Sequence, residues 1–544
     1  MGRKKLPIGV QTFAKIRDDD YYYVDKTGYA VRLVAEGATY FLSRPRRFGK
    51  SLFLDTLAEM FAGNKALFAG LECYDTWDWD TVYPVVRISF GGGVQRSPAR
   101  LEERIGEILG DNEQRLDVAV ASGSIPGRLS ALIKAAAAKH GQRVVVLVDE
   151  YDKPILDNVT DPETARQMRD ILRDMYSVLK DCDAHLKFVM LTGVSKFSKV
   201  NIFSGLNNLN DITMDEAYSA ICGYTDDDVD TVFAPELEGL DRDEIRDWYN
   251  GYNWTGQAVY NPFDVLLLFR KRQFRSYWFE TGTPTFLIET LAQRQVYLPR
   301  LQSLEATDAL LSTFEVGNIS TEALLFQTGY LTIDEARQSP GGMRYTLRFP
   351  NREVRASLTD ALLAACSPDP GEVVARTSRL LDLLAAGDLP GIRALFTAHF
   401  ASIPHDWYIR LRRRGNELGC SSEPIEDVDE RSEEHRNVPI AQYEGYYSSV
   451  FYTFFASLGV ETVPEDTSST GRLDLAVRYG GQVFLFEFKT VDDGPTGSAL
   501  QQIKDKHYAD KYLASGVRVH LVGVEFSKQK RNIVAFDTQT IDPH

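Results

Sequence analysis

The run Val144-Val145-Val146-Leu147-Val148-Asp149-Glu150 limits the fold more than any other part of the chain. Consecutive aliphatic residues with no polar face predict a strand covered on both sides, as in the middle of a sheet flanked by helices. The strand ends in two carboxylates, so charge is gathered at its carboxyl end. Similar short runs at Thr39–Ser43, Val85–Phe90 and Phe188–Thr192 alternate with helical patterns at Ser51–Phe61, Pro98–Leu109, Leu129–His140 and Ala165–Leu179. This alternation predicts an α/β sheet domain over residues 1–214.

The strand Thr39–Ser43 runs into Arg44-Pro45-Arg46-Arg47-Phe48-Gly49-Lys50-Ser51-Leu52 and then a helix. Phosphate binding at such a junction needs backbone N–H groups at a helix N-terminus. It also needs a lysine for the β/γ oxygens and a hydroxyl for Mg²⁺. Gly49, Lys50 and Ser51 have the required spacing, with Arg47, Phe48 and Leu52 completing the loop, although the full pattern wants glycine where Arg44 stands. An ordinary strand–loop–helix with a surface lysine is the competing reading. About a hundred residues on, Asp149 is positioned to hold Mg²⁺ and Glu150 to polarise an attacking water. The next strand leads into Thr192-Gly193-Val194-Ser195-Lys196, where Thr192 or Ser195 can sense a γ-phosphate. Arg44, Arg46 and Arg47 can serve phosphate, inter-subunit contacts or a carboxylate within the fold. Tyr21-Tyr22-Tyr23 and Trp77-Asp78-Trp79 can stack bases or simply pack.

Residues 215–410 read as mainly helical. Ala323–Ile333 followed by Tyr345–Phe349 suggests a helix and a β-wing, with either a DNA contact or a packing role. Residues 411–437 are charged and read as a linker or insertion. Residues 438–544 form a second α/β pattern: a helix Tyr443–Leu458, a hairpin Leu473–Val477 and Gln482–Thr490 turning at Tyr479-Gly480-Gly481, a helix Ala499–Ala514 and a strand Val519–Val524.

That second pattern contains Gly471-Arg472-Leu473-Asp474 and Glu487-Phe488-Lys489. Alternate strand residues share a face, so Glu487 and Lys489 point together while Phe484, Phe486 and Phe488 pack the other side. Hairpin pairing brings Asp474 beside them. Two carboxylates can hold Mg²⁺, with Mn²⁺ an acceptable substitute, and Lys489 can orient or activate a bound water. Glu444 on the preceding helix and Gln502, with Lys506 one turn on, are further candidates. A structural salt bridge is the plainer alternative for Glu487 and Lys489.

The chain resembles the bacterial and archaeal proteins described as AAA-ATPase-like with a C-terminal PD-(D/E)xK nuclease domain. The resemblance rests on Tyr23-Val24-Asp25-Lys26-Thr27, the Arg44–Leu52 loop, Val148-Asp149-Glu150-Tyr151-Asp152-Lys153-Pro154 and Thr192–Phe197. It continues in Tyr249-Asn250-Gly251-Tyr252, Tyr260-Asn261-Pro262-Phe263, Gln327–Thr332, Tyr443–Tyr447, Gly471–Asp474, Phe486–Lys489 and Ala499–Lys504. It covers nearly the whole chain, and the charged stretch around Arg412–Asn437 is longer than that family usually carries. The resemblance implies tolerance of a non-glycine residue at position 44, ATP at Lys50 and Ser51, Mg²⁺ at Asp149, and a nuclease site at Asp474, Glu487 and Lys489.

A net charge of −16 argues against a protein that coats nucleic acid through overall charge, but not against local basic clefts. Cys73, Cys182, Cys222, Cys366 and Cys420 form no CxxC pair, so neither zinc nor a disulfide framework is expected. The N-terminus has no signal-peptide pattern, and the longest apolar runs are about five residues against the roughly twenty a bilayer span needs. A soluble cytoplasmic protein with no membrane partner is expected. Its substrate is expected to be nucleic acid, DNA in preference to RNA, and it can form homo-oligomers. The leading expectation is an ATP-regulated nuclease, with defence against phage or mobile elements as its setting. The alternative is a nucleotide-controlled scaffold or switch whose nuclease fold binds without cleaving.

Overall fold

A computed structural model describes residues 2–121, 123–195, 208–282, 287–288, 290–291, 294, 298–312, 320–365, 370–402, 444–468, 471–492, 494–513 and 516–543. The charged stretch 411–437, Tyr443, Lys196 and Phe197 lie outside them. The chain forms two compact units, residues 1–283 with 303–354 and residues 284–302 with 355–544. Among the described residues no helix is long and apolar enough to cross a membrane.

The first unit is built on a parallel sheet in the order β2-β3-β4-β1-β5. Its strands are β1 (Thr39–Ser43), β2 (Val85–Ser89), β3 (Val144–Asp149), β4 (Leu186–Gly193) and β5 (Asn210–Asp211). As the apolar run requires, β3 is an interior strand, paired with β2 and β4, and Val144–Val148 are all buried. Parallel strands need crossovers, and helices provide them: α1 (Lys50–Phe61) follows β1, α2 (Pro98–Arg115) and α3 (Ile125–His140) follow β2, and α4 (Pro162–Asp181) follows β3. Local sequence sets their starts. Ser97, Ser124 and Asp161 accept N-terminal N–H groups, and each precedes a proline in the first turn. Gly141, at φ 64°, closes α3.

Helix α5 (Pro262–Lys271) lies beyond this sheet in the chain. A three-stranded antiparallel sheet of β6 (Leu304–Thr307), β7 (Thr332–Ser339) and β8 (Gly342–Arg348), in the order β6-β8-β7, belongs to the first unit. Helix α6 (Thr321–Thr328) precedes its β7–β8 hairpin, so a helix followed by a wing is present, but the helix expected to reach Ile333 ends at Thr328, where Gly329 takes φ 91°, and Thr332 and Ile333 begin β7.

The second unit carries a five-stranded mixed sheet, β13-β12-β11-β10-β9. These strands are β9 (Glu461–Ser468), β10 (Gly471–Tyr479), β11 (Gln482–Val491), β12 (Arg518–Ser527) and β13 (Asn532–Ile541). Helix α7 (Leu389–Ser402) and helix α8 (Glu444–Ser457) pack aromatic side chains on one face: Phe451 meets Phe486 and Phe488, and Phe400 meets Phe526. Helix α9 (Ser498–Asp505) covers the other face, with Ile503 in a cluster that includes Leu485 and Leu521.

The helix expected over Ala499–Ala514 instead stops at Asp505. His507 takes φ 52°, and the chain turns so that Tyr508, Ala509 and Tyr512 become buried, with the Tyr508 hydroxyl donating to Arg472 O at 3.0 Å. Lys506 is the C-cap of this helix, its N–H donating to Gln502 O at 3.0 Å, and it is exposed.

Candidate active sites

The loop between β1 and α1 bends at Arg47 (φ 69°) and Gly49 (φ 95°), and a Cβ added at Gly49 would meet nothing within 4 Å. The loop therefore opens into free space, part of a cavity of about 450 Å³, a size usual for small-ligand sites. Lys50, Ser51 and Glu150 line this cavity, together with Tyr23, Lys26 and Tyr224 from other segments.

Lys50 is buried, and its ammonium donates to Arg44 O at 2.8 Å and Pro45 O at 2.9 Å. Burial lowers its pKa. These two carbonyls hold the amine in place. Ser51 Oγ donates to Asp149 Oδ2 at 2.6 Å, and Thr192 Oγ1 donates to Asp149 Oδ1 at 2.9 Å. The helix hydroxyl, the strand-end carboxylate and the neighbouring strand hydroxyl thus meet at one point. That donor set suits a divalent ion shared with a phosphate. Glu150 stands beside them at φ 52°, with burial and the adjacent Asp149 raising its carboxyl pKa.

Ser195 is turned away from this point. Its backbone N–H and hydroxyl donate to Asp152 Oδ2 at 2.7 and 2.6 Å, and Val194 N donates to the same oxygen at 3.1 Å. Asp152 thereby ties the end of β4 to the turn after β3. The residue was visible only as one more acid after Asp149-Glu150, with no local signal for this role.

Arg44 corrects the sequence reading. Its guanidinium N–H groups are taken up by backbone carbonyls within the fold. It is buried, donating to the carbonyls of Ser43, Thr213, Tyr218 and Ser219 at 2.8 to 3.5 Å, with its guanidinium 4.1 Å from the ring centre of Trp254. All of these partners except Ser43 lie far along the chain, so the sequence around position 44 did not reveal them. Arg46 and Arg47 are exposed, and Arg47 lies over Phe263. Phe48 is buried edge-on against Tyr252 and Trp254. Of the two aromatic groups considered for base stacking, Tyr22, Trp77 and Trp79 are packed, while Tyr23 lines the cavity. Tyr22 is buried and donates to Glu236, while Trp77 and Trp79 donate to Met60 O and Tyr74 O.

In the second unit the expected hairpin pairs Leu475 with Phe486. Asp474 Oδ2 accepts from Phe488 N at 2.8 Å. Lys489 Nζ lies 3.5 Å from Glu487 Oε1 and 3.6 Å from Glu444 Oε2. Glu444 also accepts from Thr490 N at 3.3 Å, and Gln502 donates to Glu487 Oε1. All five candidates therefore gather at one end of β11. Glu487 is 1% exposed, and its Oε2 has no hydrogen-bond donor. Burial, then the neighbouring Asp474, push its carboxyl up to about 7, and burial raises Asp474 as well. Burial acts downward on Lys489, but Glu444, Glu487 and Asp474 outweigh it and raise its pKa.

A buried carboxylate oxygen without a donor is costly unless a proton or a cation takes it. Among the described residues no group of three His, Cys, Asp or Glu side chains encloses a cation position. Two carboxylates suffice for Mg²⁺, which keeps several waters and shares its remaining positions with substrate phosphate. Asp474 and Glu487 fit that requirement.

Two residues that hold this site were not singled out from the sequence. In the parallel β11–β12 register, Gly523 faces Glu487 and Glu525 faces Lys489. A Cβ at Gly523 would fall 2.2 Å from Leu500 N, so glycine is what lets α9 lie close to the sheet. Buried Glu525 accepts from Thr496 N, Ser498 N and the Ser498 hydroxyl, anchoring the start of α9 and hence Gln502.

Residues 7–203 match a family model described as a predicted AAA-ATPase, and residues 442–536 match one described as the PD-(D/E)XK nuclease superfamily. The chain is 60% identical over 542 residues to a protein of Azotobacter chroococcum mcd 1 named "Uncharacterized protein in vnfD 5'region", covering 99% of this chain and 100% of that protein. The two matched segments contain the two residue clusters just described, one in each unit. The chain therefore belongs to the family of AAA-ATPase-like proteins with a C-terminal domain of the PD-(D/E)XK nuclease superfamily.

Proposed function

We propose that the first unit binds and hydrolyses ATP with Mg²⁺, and that the second cleaves phosphodiester bonds in nucleic acid with Mg²⁺ or Mn²⁺, under control of the bound nucleotide. DNA is the favoured polymer, and defence against phage or mobile elements is the favoured setting. The observation that carries this reading is the convergence of Asp474, Glu487 and Lys489, with Glu487 Oε2 buried and lacking a donor.

In the first unit Lys50 exchanges its two carbonyls for β/γ-phosphate oxygens. Backbone N–H groups from Arg47 to Leu52 face the phosphates. Ser51 and Asp149 would hold the ion, Glu150 would polarise the attacking water and Thr192 would contact the γ-phosphate. An arginine from a second copy of the chain can complete such a site. In the second unit Asp474 and Glu487 would hold a divalent ion, which would supply polarisation of the scissile phosphate and a bound water of lowered pKa. Gln502 fixes Glu487 by one oxygen and leaves the other for the ion. Lys489 orients the water and offsets charge developing on the phosphate, while Glu444 keeps the ammonium in place.

The test is a panel of single- and double-stranded DNA and RNA, with and without ATP, Mg²⁺ and Mn²⁺. It compares wild type with Lys50→Ala, Lys489→Ala and Asp474→Asn. Metal-dependent cleavage that both second-unit variants lose while remaining folded supports the reading, with Lys50→Ala altering only the nucleotide dependence. A wild-type protein that cleaves nothing under any condition, or an Asp474→Asn variant as active as wild type, overturns it.

A further inference from the structure

The phosphate-binding loop has no glycine at position 44 to shape its first turn, and its path is fixed instead by aromatic residues outside the sheet. Phe48 packs on Tyr252 and Trp254, and Pro45 lies against Gly329, where an added Cβ would come within 2.7 Å of the proline ring. Trp278 Nε1 donates to Arg46 O at 3.1 Å. Trp278 is 1% exposed, and its ring packs on Tyr330 with centroids 5.2 Å apart.

The other end of Trp278 is held in an unusual way. Its backbone N–H lies 2.8 Å from Asp264 Oδ1 and 3.0 Å from Glu353 Oε1. Both acids are fully buried, and no ion pair to either is present among the described residues. Asp264 Oδ2 and Glu353 Oε2 each lack a donor. Glu353 Oε1 accepts from Phe279 N as well, at 3.2 Å, and two carboxylates held in a dry interior by these two N–H groups cannot both be ionised. The two side chains lie within hydrogen-bond reach of each other, so one proton shared between the carboxyl groups relieves the conflict. Burial raises the pKa of each acid, which favours keeping that proton.

We infer that Trp278 is a positioning residue for the phosphate-binding loop, clamped at its amide by a proton-sharing Asp264–Glu353 pair and presenting its indole N–H to the Arg46 carbonyl. The pair comes from α5 and from the first turn of the helix Arg352–Ala365, so segments distant in sequence are joined to the loop through one side chain. The consequence for nucleotide affinity rests on the function proposed above, whereas the clamp itself does not.

The experiment is hydrogen exchange of the full-length protein without nucleotide, reading the peptide that spans Arg44–Leu52, with β3 as an internal control. Trp278→Phe keeps a ring and removes the donor. It is expected to speed exchange in the loop about five- to tenfold, the equilibrium effect of one lost hydrogen bond, and to leave β3 unchanged. Glu353→Ala is expected to do the same. Glu353→Gln, whose amide oxygen still accepts from Trp278 and whose NH₂ group donates to Asp264, is expected to restore wild-type exchange. Unchanged loop exchange in Trp278→Phe, equal behaviour of the alanine and glutamine variants, or faster exchange in β3 as well would each overturn the inference. In parallel, Trp278→Phe is expected to weaken ATP and ADP about five- to tenfold and adenosine not at all. A wild-type protein that binds no ATP would sink the proposed function while leaving the exchange result to decide the clamp.

Discussion

Acidification should release metal from the second unit well above the pH at which ordinary carboxylates titrate. Glu487 is pushed up from 4.5 to about 7, so below that pH a divalent ion must displace a proton to reach its carboxylate. One proton released per ion makes binding about tenfold weaker at pH 6 than at pH 8, and about a hundredfold weaker at pH 5. Asp474, also raised, steepens the fall. The same shift acts on stability with a definite sign. In the metal-free protein the folded state binds more protons than the unfolded state between 4.5 and about 7. Stability therefore falls as pH rises through that window, by at most about 3 kcal/mol. Glu487→Gln removes this cost, so the metal-free variant should be more stable than wild type at pH 8 while binding metal poorly. Titration calorimetry with Mg²⁺ and Mn²⁺ at pH 5, 6, 7 and 8 measures the first effect, and denaturant melts in a chelator measure the second. An affinity that stays constant between pH 6 and 8, or a Glu487→Gln protein less stable than wild type at pH 8, would refute this reasoning.

Restoring glycine at position 44 should damage the protein, although it completes the usual phosphate-loop pattern. Arg44→Gly removes four carbonyl contacts and the stacking on Trp254, and is expected to cost about 3–5 kcal/mol in chemical denaturation with no gain in nucleotide affinity. Gly523→Ala should cut nucleic-acid cleavage at least about tenfold in a protein that still folds, because α9 must move and Gln502 leaves Glu487. Circular dichroism beside the cleavage assay separates that outcome from unfolding. Lys50→Ala should weaken ATP binding at least about a hundredfold, read by equilibrium dialysis, while Mn²⁺ affinity of the second unit stays at the wild-type value.

What the sequence revealed depended on how local each signal was. β3 was legible because five contiguous residues carried it. The hairpin of β10 and β11 was legible because period-two alternation and a Gly-Gly turn fixed its register, bringing Asp474 and Lys489 to the same end of the sheet as Glu487. Strand β9, Glu-Thr-Val-Pro-Glu-Asp-Thr-Ser, was not anticipated, since it is polar and contains Pro464, and only pairing with β10 makes it a strand. The roles of Arg44 and Trp278 depend on partners many residues away, as does that of Asp152 on the end of β4. Glu525 looks from the sequence like an acid in an apolar strand. Its role appears only when the crossover brings the start of α9 down onto it.

The measurement closest to the central claim is the anomalous difference density of a crystal soaked in Mn²⁺ at pH 8. The account predicts a peak within about 2.3 Å of carboxylate oxygens from both Asp474 and Glu487, the latter through Oε2, with Lys489 beside it and not in its coordination shell. A fully loaded crystal with no peak between those two carboxylates would contradict it.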